Sequence, residues 1–155
     1  MSKPFGRSVG ALLVVTGVFA ATLSGARASD PAEGDLSVTV TGLENSNGRV
    51  RAGLFTSDEG FPLGVDDVDT TAHAEITGGS ATVEFDGIPH GSYAVVVYHD
   101  ANDNGQLDRN FVGMPSEGAA VYKPVEARVP PPDFDDCAFT FDVRNRTVSL
   151  TINYL

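Results

Sequence analysis

The sequence predicts an all-β fold, an antiparallel sandwich of about seven strands of the immunoglobulin or transthyretin type. Three observations support this prediction: short segments alternate apolar and polar residues, Gly, Asn and Pro separate them, and no segment has the period of an amphipathic helix. Each such strand buries one face, so two sheets packed face to face can use every strand. A small barrel is the alternative architecture.

The first two predicted strands are LSVTV at 36–40 and RVRAGLF at 49–55. In both, alternate positions are apolar, which predicts one buried face. Between them lies the Asn47–Gly48 pair. Asn-Gly is a strong short hairpin signal because both residues tolerate positive φ.

The next segments predict two strands separated by a turn, followed by a central strand. HAEIT at 73–77 and ATVEFDGI at 81–88 are separated by the turn pair Gly78–Gly79. GSYAVVVYH at 91–99 follows, and its residues 95–98 are apolar on both faces. A strand buried on both faces is predicted to lie in the middle of its sheet.

Two further strands complete the prediction, CAFTFDV at 137–143 and TVSLTINY at 147–154, with RNR at 144–146 as a tight turn. Cys137 is the only cysteine, so no intrachain disulfide can form. It alternates with Phe139, Phe141 and Val143, which predicts a buried, unreactive thiol.

Two connections, at 56–71 and 100–136, are longer than ordinary loops. The second contains several apolar residues, so it is predicted to pack on the sandwich as an ordered flap; these residues are Phe111, Val112, Met114, Val121 and Tyr122.

The N-terminal segment has the features of a signal peptide. Lys3 and Arg7 precede the apolar run 8–23, and Ala26 and Ala28 have the spacing that signal peptidase requires. The run is short for a membrane span of roughly 20 apolar residues, so a retained anchor helix is the less favoured alternative. We expect a periplasmic or secreted protein with no stable membrane span after cleavage.

The resulting domain organisation is a signal peptide at 1–28, a tail at 29–35 and one β-sandwich domain at 36–155. Cleavage removes three of the ten basic residues and none of the 21 acidic ones, so the net charge changes from −11 to −14. Such a charge repels nucleic acid and anionic lipid, and argues against nucleic-acid binding and peripheral membrane binding. The negative charge favours cations as ligands; the alternative is that it only keeps the protein soluble. The sequence identifies neither the envelope or extracellular ligand nor the oligomeric state.

The segment after the central strand matches the first part of a calcium loop. Asp100, Asn102 and Asn104 occupy the first, third and fifth ligand positions, and Gly105 occupies the sharp turn. The backbone carbonyl of Gln106 and the side chain of Asp108 would take the seventh and ninth positions, so these five residues are the predicted oxygen ligands.

The twelfth position departs from the pattern, because Phe111 stands where a full loop has a bidentate Glu. Glu117 or Asp103 would have to complete the coordination. With few charged ligands, we expect an affinity of about 10⁻⁴–10⁻³ M. The alternative is an Asx-rich turn that bonds its own backbone and holds no ion.

No catalytic arrangement stands out in the sequence. His99 and Asp100 are adjacent on a strand, so they point to opposite faces and cannot form a dyad. We expect His99 to be a structural residue that braces the loop. A non-enzymatic binding or accessory module is favoured; the alternatives are a metal-assisted envelope hydrolase and a purely structural protein-interaction domain.

Three segments resemble an uncharacterised domain-of-unknown-function family of exported bacterial proteins; they are GRVRAGLFTSDEGFP, VEFDGIPHGSYAVVVYHDANDNGQLDRNFVGMPSEG and PPDFDDCAF. The likeness runs from about Leu36 to Tyr154 and departs after Gly118, where AAVYKPVEARV replaces a more usual Asn-rich flap. The resemblance implies export and a β-sandwich but no established activity. FDGIPHGSYAVVV also resembles a strand pair of transthyretin-like and carboxypeptidase-regulatory-like domains, which are accessory or binding modules.

Overall fold

The computed structural model describes residues 32–66, 68, 70–123 and 131–154. The predicted signal peptide and the first residues of the predicted tail lie outside this range. The described residues form eight strands and one short helix, in the order β1 (Glu33–Thr41), β2 (Arg49–Phe55), β3 (Thr70–Glu75), β4 (Ser80–Pro89), β5 (Gly91–Asp100), β6 (Ala119–Val121), α1 (Phe134–Cys137), β7 (Phe139–Phe141) and β8 (Asn145–Thr151). Among them no helix is long and apolar enough to cross a membrane.

The strands form two sheets, and the all-β sandwich prediction is confirmed. One sheet has the order β4-β1-β8 and the other the order β3-β2-β5-β6. Strand β7 pairs with the beginning of β5, on residues 91–93, whereas β6 pairs with its later residues 96–98. Strand β5 therefore has neighbours on both sides, as its apolar sequence predicts.

One pairing departs from the antiparallel prediction. Strand β8 runs parallel to β1, with Asp35 opposite Asn145 and Thr41 opposite Thr151. The chain passes from β7 in the larger sheet to β8 in the smaller one, so β7 and β8 do not form a hairpin. Strand β8 instead takes the free edge of β1 in the same direction.

The main core lies between the sheets and consists of the alternating apolar residues. Leu36, Val38, Val83, Val95 and Phe141 are fully buried members of this cluster. The Asn47–Gly48 turn joins β1 to β2 across the two sheets, rather than within one hairpin. Gly48 has a φ of 60°, and a Cβ there would collide with the Asp100 carbonyl oxygen, so this position requires glycine.

A second apolar cluster lies on the outer face of the larger sheet, beneath the two long loops; its members are Phe55, Val65, Ala94, Val96, Tyr98, Leu107 and Cys137. Phe61 packs edge-on between Phe55 and Phe134, with ring centroids 5.2 and 5.9 Å apart. Both long loops therefore cover β5, which explains why this strand is apolar on both faces.

The structure corrects three details of the predicted elements. Residues 119–121, predicted as loop, form β6. Cys137 is buried as predicted, but it ends α1 rather than beginning a strand, because Asp135 and Asp136 favour a first helical turn after the prolines. Val143 is 42 % exposed in the bend before β8, so it does not share the buried face of Phe141.

The flap prediction is correct for one part of the long loop and wrong for another. Val121 and Tyr122 pack against the apolar clusters. Phe111, Val112 and Met114 are instead exposed, because the loop turns outward between Asp108 and Glu117 while its polar residues fill the space beside β5.

Strand β1 also begins at Glu33, inside the predicted tail.

Candidate functional site

The candidate site begins where β5 ends, at Asp100. In the β2–β5 ladder, Arg49 lies opposite Asp100 and Arg51 lies opposite Tyr98. The Arg51 Nε donates to Asp100 Oδ2 at 2.5 Å, and the Asp100 side chain is fully buried. Asp103 approaches both arginines, with its Oδ1 2.6 Å from Arg49 Nε and 3.2 Å from an Arg51 terminal nitrogen.

The Asp100 carboxylate also organises the following turn. Its Oδ1 accepts the backbone N–H of Asn104 at 3.0 Å, and its Oδ2 accepts that of Gly105 at 2.9 Å. Burial alone would raise the pKa of Asp100, but the hydrogen bonds from Arg51, Gly105 and Asn104 outweigh it and hold the pKa below its usual value. Asp100 is therefore a fixed anion that closes the loop.

Three predicted ligands converge further along the loop. The side-chain amides of Asn102 and Asn104 donate to the two oxygens of Asp108 at 2.8 and 3.1 Å. The side-chain oxygens of the same asparagines accept N–H groups two residues ahead, from Asn104 and Gln106, at 3.1 and 2.8 Å. These are Asx turns, so the loop holds its shape through its own backbone.

Glu117 ties the two ends of this loop together from outside. Its Oε1 accepts the backbone N–H of Ala101 at 3.0 Å, and its Oε2 accepts that of Asp108 at 3.2 Å. Burial raises the pKa of Glu117, and the negative charges of Asp108 and Asp100 add to this effect, while the two backbone hydrogen bonds oppose it. The structure thus places Glu117 beside the loop, whereas Asp103 is turned toward the arginines.

A family comparison identifies the relatives of this chain. The model of a family described as an uncharacterised protein conserved in bacteria, DUF2141, matches residues 38–149. The chain belongs to this family. The predicted resemblance to an uncharacterised bacterial family is therefore confirmed, and the matched segment contains every residue of the site. No curated protein and no solved structure gave a significant match.

Three residues of the site in this DUF2141 protein were missed by the sequence analysis, namely Arg49, Arg51 and Asp66. Asp66, from the first long loop, accepts the backbone N–H of Leu107 at 3.1 Å. The arginines could have been found, because R-V-R puts two cations on the outward face of β2 beside an acidic loop. Asp66 gave no such signal, because it is one of many acidic residues in its loop.

His99 lies on the opposite face of β5 from Asp100 and is 1 % exposed. Its Nε2 is 2.8 Å from the Asn47 carbonyl, which can only accept, so Nε2 carries a proton there. In the neutral ring, Nδ1 then accepts from the Tyr154 hydroxyl at 2.7 Å. The side chain thus joins the turn before β2 to the segment after β8, and neither ring nitrogen is hydrogen-bonded to the 100–108 loop.

The side-chain oxygens of the site belong to carboxylates and to the amides of Asn102 and Asn104. Within the part of the chain that the structure describes, no group of three or more His, Cys, Asp or Glu side chains is arranged to hold a metal ion. An ion in this loop would therefore depend on the oxygens of Asn102 and Asn104 as well as on carboxylates. Calcium binding stays a prediction.

Proposed function

We propose that this DUF2141 protein is an exported, non-enzymatic binding or accessory module of the cell envelope or extracellular space, with a structural calcium ion in the 100–108 loop. The observation that supports the ion is the convergence of Asn102, Asn104 and Asp108 within hydrogen-bonding distance of one another, with Glu117 adjoining. Glu117 would supply the acidic group that the pattern lacks at Phe111.

The loop's own hydrogen bonds leave room for coordination. The side-chain oxygens of Asn102 and Asn104 and the Oδ1 of Asp100 each accept one hydrogen bond from the loop backbone. Because a carbonyl or carboxylate oxygen has two lone pairs, each keeps one for a cation. A hard ion such as Ca²⁺ requires such oxygens, in sets of six to eight.

The same contacts predict weak binding. An ion bound by Asp108 would replace the two hydrogen bonds from the asparagine amides, and Arg51 already balances the charge of Asp100. We therefore keep the expected dissociation constant at about 10⁻⁴–10⁻³ M, the range of extracellular calcium modules.

The non-enzymatic role is supported by the way the site's polar groups are used. Asp100 is bonded to Arg51 and to the loop backbone, and Glu117 uses both oxygens on backbone N–H groups. These groups hold structure rather than a free proton or an activated nucleophile. A general acid or base would need to reach a substrate.

Export rests on the predicted signal peptide. We expect protein isolated from an exporting bacterial host to begin at Ser29, which intact-mass measurement would detect. A chain that keeps residues 1–28 would contradict cleavage and favour the anchor-helix alternative.

Calorimetric titration with calcium tests the ion. At ten times the dissociation constant, calcium should raise the free energy of unfolding by about 1.4 kcal/mol relative to chelator. The Asp108→Asn variant should lose this response. Asp86→Asn, at an exposed position of β4, makes the same charge change and should keep it. An unchanged melt of the unsubstituted protein between about 10 mM calcium, ten times the highest expected dissociation constant, and chelator would rule out the ion.

A further inference from the structure

The part of the long loop at residues 109–116, here called the tip, exposes apolar side chains. Phe111 is 100 % exposed, Val112 65 % and Met114 40 %. Arg109 and Pro115 pair as an isolated β-bridge, so the tip is a narrow turn with these three residues between its two arms. Adjacent exposed apolar side chains of this size mark a contact surface more often than scattered single ones do.

The backbone of the tip is bonded internally. The Asn110 Oδ1 accepts the N–H groups of Val112 and Met114 at 3.0 and 3.1 Å. Asn110 donates its N–H to the Met114 carbonyl, and Gly113 donates to the Asn110 carbonyl, at 2.8 and 2.9 Å. Four N–H groups therefore need no water, which lowers the cost of moving the tip into an apolar medium.

The base of the tip is fixed to the domain. Ser116 donates its N–H to the Asp108 carbonyl at 2.9 Å, and the Arg109 guanidinium donates to the Leu63 carbonyl in the other long loop. The apolar side chains are thus presented on an ordered support, and contact would order little further chain.

The charge of the tip differs from that of the rest of the molecule. The chain carries a net charge of −11, whereas residues 109–116 contain Arg109 and no acidic residue. The flanking Asp108 and Glu117 are half-buried and bonded to the loop. A phosphate-bearing headgroup can therefore approach the tip next to a cation, while the overall charge disfavours an anionic surface.

We propose that the tip inserts Phe111, Val112 and Met114 into the boundary between headgroups and acyl chains of a zwitterionic phospholipid bilayer. A bilayer accepts a convex apolar tip without a complementary pocket, and attraction grows with the apolar area buried. With only three side chains inserted, the association is weak and reversible. It does not depend on the proposed calcium ion.

Tryptophan fluorescence tests the insertion directly, because the chain contains no tryptophan. The reporter is Phe111→Trp, and the matched control is Val143→Trp, which replaces an exposed apolar residue in the bend before β8. Both variants are made in the full chain and mixed with phosphatidylcholine vesicles in chelator. The emission of the tip reporter should shift to shorter wavelength and be quenched by brominated acyl chains, while the emission of the control variant should not change.

The control also separates the tip from the N-terminal apolar run, because attachment through residues 8–23 would leave both reporters in water. Adding Val112→Ser to the Phe111→Trp variant should lower the vesicle partition coefficient roughly ten-fold. Thermal melts confirm that each variant folds. Unchanged emission from the tip reporter, or equal shifts in the two variants, would overturn the proposal. Failure of the calcium titration would not affect this outcome, because chelator is present throughout.

Discussion

The core between the two sheets and the loop segment from Asp100 to Glu117 are both ordered, but they place polar and apolar groups in opposite ways. In the core, side chains such as Val38 and Phe141 are fully buried among other apolar residues. In the loop, the Asp100 carboxylate is fully buried and Phe111 is fully exposed. The sandwich buries apolar surface, whereas this loop is closed largely around its carboxylates.

The difference teaches that the two regions respond to different changes. Apolar burial is non-directional, so the core is sensitive to lost volume. The loop depends on hydrogen bonds of fixed geometry, three of them to Asp100. It is therefore sensitive to the replacement of one carboxylate oxygen by an amide nitrogen and to protonation of the carboxylate. Substitutions in the two regions can separate these contributions.

The largest effect is expected for Phe141→Ala. This ring is fully buried and packs edge-on against Tyr93, with centroids 6.3 Å apart. Its removal leaves a cavity and should lower the free energy of unfolding by about 4 kcal/mol. Urea denaturation measures the change, and a loss below about 1 kcal/mol would contradict the packing described for this side chain.

Asp100→Asn should cost about 3 kcal/mol, because it leaves Arg51 without its buried partner. In the wild type, one carboxylate oxygen accepts hydrogen bonds from Arg51 Nε and from the N–H of Gly105. The uncharged amide of Asn accepts such bonds less strongly. Denaturation at pH 7 measures the loss. Asp86→Asn, at an exposed site, is the matched control and should change stability little.

The same variant has a predicted pH dependence. The pKa of Asp100 in the folded protein lies below its ordinary value of 3.8, so its stabilisation is present above that pH and is lost as the pH falls through the lower folded value. Glu117 has a raised pKa and acts in the opposite sense: its protonation makes the folded protein more stable as the pH falls toward 4.5. The difference in unfolding free energy between wild type and Asp100→Asn should therefore become smaller below pH 3.8. If the difference in unfolding free energy between the two proteins does not change with pH, the ionisation of Asp100 does not contribute to stability in this range.

A smaller effect is expected for Asn110→Ala in the tip. The substitution removes the acceptor of the Val112 and Met114 N–H groups, which should cost about 1 kcal/mol. Because the tip buries little apolar surface, the loss should be local. Hydrogen exchange at these two amides should accelerate about five-fold while exchange in β5 stays unchanged. Equal acceleration in β5 would show that the tip and the sandwich open together.

The smallest effect is expected for Phe111→Ala, which is the same chemical change as in the core variant. Its ring is 100 % exposed, so the free energy of unfolding should change by less than about 0.5 kcal/mol. A larger loss in urea denaturation would mean that Phe111 packs on the domain after all.

Much of the sandwich could be predicted because alternation is a local signal. The two-sided apolar pattern of residues 95–98 placed β5 inside its sheet, whereas Asn47–Gly48 lies in a connection between the two sheets and not in the hairpin that the pair predicts. The parallel direction of β8 could not be predicted, because it depends on which sheet edge remains free. Neither could the outward turn of Phe111, since apolar residues in a long loop ordinarily predict packing.

The loop residues were predicted as a set, but their contacts were not. The loop contains the Asx turns that were the alternative to a calcium loop, because Asx side chains bond backbone two positions ahead, and calcium binding by the Asp-x-Asn-x-Asn-Gly spacing stays a prediction. The pairing of Asp100 with Arg51 depends on the β2–β5 register, which the sequence pattern left undetermined. Tertiary register therefore decides which charges meet.

The parallel pairing of β1 with β8 has a consequence for how the protein is made. The middle strand of the smaller sheet obtains one of its two neighbours from residues 145–151, which leave the ribosome more than one hundred residues later. Until then, one edge of β1 has no partner strand, and β4 is its only neighbour in the smaller sheet. The smaller sheet should therefore be completed in a late step of folding, after residues 145–151 have been synthesised.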